Sequence, residues 1–173
     1  MATPVVNNFM RQQGFPDEPA DACSMHFAGL YFQPRIVFSL VIVGIVLQSP
    51  WVFLALSAVL WWNVLVPGFN PFERVYNRLI AARRGRAPLG AAPGPRRFAQ
   101  AIAAAFLLGA GLGLLTGHPV LSWVFQAFLV VAFSALLFGK FCLGAYVFHL
   151  LRGEVRFANS TLPWARPTRS GGE

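Results

Sequence analysis

Few residues in this chain could do chemistry, and they are scattered. There are two cysteines, Cys23 and Cys142, three histidines and one lysine. The cysteines are too few and too far apart in sequence to read as a disulfide scaffold or a zinc site. No two histidines share a helix at ligand spacing, so no metal centre is expected. His118 sits beside a turn, and His26 lies ahead of the first apolar run. His149 and Lys140 are different, because each interrupts an apolar run, where a polar group needs a partner or a ligand. Near the end of such a run, Lys140 also has the option of reaching out to headgroups. A single thiol at Cys142 can cycle through a disulfide only with a second thiol; without one it is a small apolar packing residue.

Other constellations are missing. There is no Ser-His-Asp set and no phosphate loop. Gly109, Gly111 and Gly113 follow no strand, so they are not a nucleotide fingerprint. All acidic residues lie outside the apolar runs, which argues against a transporter coupled to an intramembrane carboxylate. No catalytic role is assigned.

The elements that must position these residues are apolar. The chain has 173 residues, 56% of them hydrophobic and 12% charged, against about 25% charged in an ordinary soluble domain. Four apolar runs stand out: Ile36–Leu47, Trp51–Val66, Phe98–Leu115 and Val120–Leu151. A transmembrane helix needs about 20 apolar residues. The fourth run would be roughly 48 Å long as one helix, against a hydrocarbon core of about 30 Å. The run must therefore protrude as one long helix or break, and Gly139-Lys140 is the place for a break. The fold class is all-α: a polytopic membrane protein with four transmembrane helices in two hairpins. A shift of 69 residues lays the second hairpin on the first, pairing Pro50 with Pro119 and Phe72 with Phe141, as a weak parallel repeat.

Charge supplies a topology. Arg74, Arg78, Arg83, Arg84, Arg86, Arg96 and Arg97 cluster between the hairpins, whereas the tips at 48–50 and 116–119 carry no formal charge. Short Arg-rich loops stay in the cytoplasm. An N-terminal arm (1–31), the central loop and a tail (153–173) are thus expected on the cytoplasmic side, with no signal peptide. The first hairpin takes 32–97 and the second 98–152. Trp51, Trp61, Trp62 and Trp123 suit interfacial belts. Nucleic acid is not an expected partner, since no nucleic-acid module accompanies the charge. Anionic phospholipid is.

Asn70-Pro71-Phe72-Glu73 has the form of a capped helix start. Phe72, Val75, Tyr76, Leu79 and Ile80 then recur at helical spacing opposite Glu73, Arg74, Asn77 and Arg78. An amphipathic interfacial helix over 71–84 is predicted, its arginines meeting headgroups or partner subunits. By the repeat, 140–152 is a bent counterpart. Ala101, Ala105, Gly109, Gly113 and Gly117 form a small-residue stripe that permits close helix approach, by another span of this chain or by a partner subunit.

Phe141-Cys142-Leu143-Gly144-Ala145, Pro34-Arg35, Ser49-Pro50-Trp51 and Arg97-Phe98-Ala99-Gln100-Ala101, with the two-hairpin layout, resemble a bacterial membrane family, domain of unknown function 4395, over roughly residues 32–152. The resemblance implies a bacterial inner-membrane location and, through the Cys-Leu-Gly-Cys of relatives, a membrane thiol pair. Here Ala145 stands at the second position, which removes that pair; only Cys23, on an arm folded back, could replace it. The leading expectation is a non-catalytic accessory subunit of a larger inner-membrane complex, photosynthetic or respiratory. It would meet other membrane subunits, with bound lipid and with pigment or quinone contact allowed. The alternatives are a thiol-redox or electron-transfer protein using Cys142 and, more weakly, a small transporter.

Overall fold

Proline and polar caps set the helix boundaries. The computed structural model describes residues 4–15, 27, 29–84 and 88–165. A short helix, α1 (Pro4–Gln12), comes first, followed by α2 (Phe32–Leu47) and α3 (Pro50–Leu65). Next come α4 (Pro71–Tyr76), α5 (Gly94–Leu115) and α6 (Pro119–Leu137), then α7 (Leu143–Leu151) and α8 (Val155–Ser160). Pro50, Pro71 and Pro119 each open a helix, where their missing N–H costs nothing. Gln48 ends α2 in the left-handed region (φ 43°).

All the described helices are α-helical in the main, and α5 and α6 are long and apolar enough to cross a membrane. The apolar helices α2 and α3 are shorter. Helix α5 is central, packing on α3, α6 and α7. The core joins Val37, Val41, Phe53, Leu56, Leu60, Ala104, Leu107, Leu129 and Phe133. Hydroxyls tie the helices together: Ser57 Oγ donates to the Ala104 carbonyl (2.8 Å) and Ser122 Oγ to that of Ala110 (2.7 Å). Outside, Val46, Trp51, Leu65, Val120, Phe128 and Val131 are exposed.

The small-residue stripe is used largely within the chain. A side chain at Gly109 would strike the Phe125 ring, and one at Gly113 would meet Ser122. Ala105 and Gly117 are exposed, and Ala101 is half-buried. The fourth apolar run is two helices. Between α6 and α7 the chain turns at Gly139-Lys140, with Lys140 left-handed (φ 51°).

The amphipathic helix differs from its predicted form. Its α-helical part ends at Tyr76, and Asn77–Ala81 continue with wider π-helical turns. Its faces are also rotated. Glu73, Tyr76 and Ala81 are buried, while Val75 and Leu79 face outward beside Arg74 and Arg78. The Asn77 side chain donates to the Leu89 carbonyl (3.0 Å) and accepts from the Leu89 N–H (2.8 Å). Of the predicted polar face, Glu73 and Asn77 thus turn inward while Arg74 and Arg78 stay exposed. Asn70 caps the helix as expected, accepting from the Phe72 N–H at 3.0 Å.

Candidate functional site: a cavity with one polar end

The break after α6 builds one wall of the site. The Cys142 backbone is extended, and it serves as N-cap of α7. Its N–H donates to Gln12 Oε1 at 2.9 Å, which ties α1 to the start of α7. Gly144, two residues on, touches α5: a Cβ there would lie 2.6 Å from both Cα and Cβ of Ala99. Only glycine permits that approach.

The amino-terminal arm is folded back over this level. Phe9 and Met10 are buried in a cluster with Leu30, Tyr31, Cys142 and Ala145. Phe9 meets the rings of Phe27 and Tyr31 at 5.5 and 5.3 Å, and Tyr31 donates to the Leu136 carbonyl at 2.7 Å. From the other side, His149 Nε2 donates to the Gln12 carbonyl (3.1 Å), and its Nδ1 lies 2.6 Å from Glu154 Oε2. Asn8 Nδ2 donates to the carbonyls of Leu162 and Ala165, both at 3.0 Å. The arm is therefore held by α7, α8 and the residues that follow.

Beneath the arm lies a cavity of about 380 Å³ among α2, α5, α6 and α7. That is within the usual ~300–1,000 Å³ of small-molecule pockets. One end is polar, lined by Gln13, Gln33, Arg96, Gln100 and Cys142. The rest is apolar, including Val37, Ala103, Phe106, Leu129 and Ala132. The lining residues Phe128 and Val131 on α6 and Val147 on α7 are also exposed on the outer surface.

The polar end is under-satisfied. Gln33 Oε1 is a shared acceptor, receiving Gln100 Nε2 (3.1 Å), Asn70 Nδ2 (3.4 Å) and Arg96 Nη2 (3.5 Å). For the guanidinium of Arg96, 7% exposed, that long contact is the one hydrogen bond among the described residues. Gln13 Nε2 and Gln100 Oε1 are buried without a hydrogen-bond partner among them. Burial pushes the Cys142 thiol up from its ordinary range, partly opposed by the Ala145 and Gly144 N–H groups, the Gln13 amide and Arg96. A thiol held that way is a poor nucleophile.

The cavity thus gathers two residues named from sequence, Cys142 and Arg96, and separates the others. Arg96 corrects its predicted place: it is buried instead of meeting headgroups, because it opens the inward stripe of α5 with Gln100, Ala104, Leu107 and Gly111. Arg97 also turns inward, donating to the Val64 carbonyl at 2.7 Å. Arg74 lies 4.1 Å over the Phe69 ring, and Arg78 and Arg83 are exposed. Cys23, His26, Arg86 and the side chain of Arg84 lie outside the described residues. His149 serves the arm, and the Lys140 ammonium rests 5.8 Å from the Phe27 ring. Among the described residues no three of His, Cys, Asp and Glu gather as a metal centre. Sequence reasoning missed Gln13, Gln33 and Gln100. For Gln100 a signal existed, an amide inside an apolar run.

A family model described as a domain of unknown function, DUF4395, matches residues 28–152. No curated protein and no solved structure matches the chain.

Proposed function

We propose, for a chain that belongs to the family described as domain of unknown function DUF4395, a non-catalytic membrane subunit whose helices hold one amphiphilic molecule. The observation that carries this reading is the cavity, polar beneath the arm and apolar where it meets the outer surface. The membrane setting rests on an inverted distribution of polarity. Gln33, Ser57, Gln100, Ser122 and Gln126 are buried, while Val46, Trp51, Leu65, Val120 and Val131 are exposed. Large exposed apolar surface around buried polar groups is expected of a bundle solvated by lipid. With α5 and α6 as spans and the shorter α2 and α3 completing two hairpins, the Arg-rich level lies on the cytoplasmic face of a bacterial inner membrane. The same exposed faces are available to other subunits, in keeping with an accessory role in a larger complex.

The test is extraction in mild detergent, denaturation and mass spectrometry of the released small molecules. About one amphiphile per chain, at a ratio that survives repeated washing, supports the reading. A washed chain that binds none of a panel of single-tailed lipids, lipid alcohols and quinones sinks it.

A second reading is a thiol-redox or electron-transfer role for Cys142, favoured by its place in the cavity wall close to Arg96. Cys142→Ser separates the two. Unchanged amphiphile content with no change in any redox activity of the purified membrane fraction removes the second reading.

A further inference from the structure

Resting on the amphiphile reading, we propose that the cavity selects a single-chain carboxylate: a long-chain fatty acid bound through its ionised head to Arg96 and Gln13. Charge decides the head. A buried guanidinium is costly unless paired and hydrogen-bonded, and among the described residues the one hydrogen bond of Arg96 is its 3.5 Å contact to Gln33. Glu73 is buried nearby and its charge faces Arg96, but no hydrogen bond joins the two, so the donors of the guanidinium stay largely unfilled. A carboxylate offers that guanidinium charge-assisted hydrogen bonds, and its two oxygens suit the fork. The second donor, Gln13 Nε2, is buried in the same wall beside the Cys142 sulfur and makes no well-formed hydrogen bond among the described residues. A neutral quinone or alcohol head would meet the same donors without a charge of its own, forgoing charge-assisted hydrogen bonds.

Volume and access decide the tail. About 380 Å³ is near the lower limit for drug-sized pockets, which suits one chain better than the two of a phospholipid. The lining is apolar from Val37 through Phe106 to Ala132. Its exposed residues on α6, Phe128 and Val131, are where a tail would leave the bundle. The arm closes the opposite end through Phe9 and Gln13.

The experiment uses the full chain in nanodiscs of zwitterionic lipid. Palmitate, hexadecanol and a decyl-substituted benzoquinone compete for the site, read by native mass spectrometry. Palmitate should bind once per chain, about ten- to hundredfold more tightly than hexadecanol, the range expected for losing charge-assisted hydrogen bonds. Arg96→Met should bring palmitate down to the level of the alcohol and leave the alcohol unchanged, while Arg96→Lys should keep most of the preference. Equal binding of acid and alcohol by the unaltered chain would overturn the carboxylate assignment and leave the amphiphile reading standing. Tighter binding of the quinone would overturn it in favour of a quinone head. Binding of none of the three would remove both. Should Arg96→Met fail to fold, the comparison of acid with alcohol on the unaltered chain still decides.

Discussion

Gln12 and Cys142 lie 130 residues apart, yet the side chain of one accepts from the backbone N–H of the other at 2.9 Å. That bond satisfies an orphan donor at the start of α7 and fixes the arm over the cavity. Gln12→Ala should leave the Cys142 N–H buried and unpaired, costing about 1–3 kcal/mol. Hydrogen exchange of the first amides of α7 should rise. Reaction of Cys142 with a small maleimide should accelerate, since the arm that covers the thiol would open more often. Unchanged labelling would show that the arm does not guard Cys142.

The other end of the arm should respond to pH. His149 touches both the Gln12 carbonyl and the Glu154 carboxylate. The Glu154 carboxyl is held below its usual 4.5, first by the hydrogen bond from His149 and then by the Arg152 charge. A depressed carboxylate contributes its stability above the usual value and loses it as pH falls through the folded one. Protease sensitivity of α1 should therefore be low and flat above about pH 5, and increase as the medium is acidified further. Glu154→Gln should abolish that acid-dependent increase, and a variant that still shows it would refute the link.

Gly144 should tolerate no side chain. Gly144→Val would drive α7 off Ala99 of α5, an overpacking cost of about 1–3 kcal/mol. Gly68→Ala is the control, because nothing lies within 4 Å of its added Cβ. Thermal unfolding in detergent should separate the two variants clearly, and matched midpoints would contradict the close approach.

Filling the cavity should displace its contents. Ala132 lies in the wall on α6, so Ala132→Trp should lower the co-purified amphiphile severalfold with the arm still docked. An unchanged yield of bound amphiphile would place the molecule elsewhere.

Much of the helical outline could be read in advance because it is written in local chemistry. Pro50, Pro71 and Pro119 open helices, Asn70 caps one, and Gly139-Lys140 breaks an apolar run too long for one span. The candidate site was less legible. Arg96 was grouped with its neighbours by charge, although its spacing to Gln100 and Ala104 sets it on the inward stripe of α5. Spacing alone predicts Glu73 and Arg74 on one polar face, yet Glu73 is buried and Arg74 exposed, a split that packing decides. Gln13 carried no local signal at all. Its role comes from where α1 docks, and docking is decided by contacts with Cys142, His149 and Leu162, more than a hundred residues away.

The exposed lining residues Phe128 and Val131 would set the terms of exchange. On the proposed membrane reading, a molecule entering there would never cross water, so its aqueous solubility would have no bearing on occupancy. What would count is its mole fraction among the surrounding lipids. Supply then becomes a two-dimensional search, and the site would register the composition of the bilayer instead of a concentration in the cytoplasm.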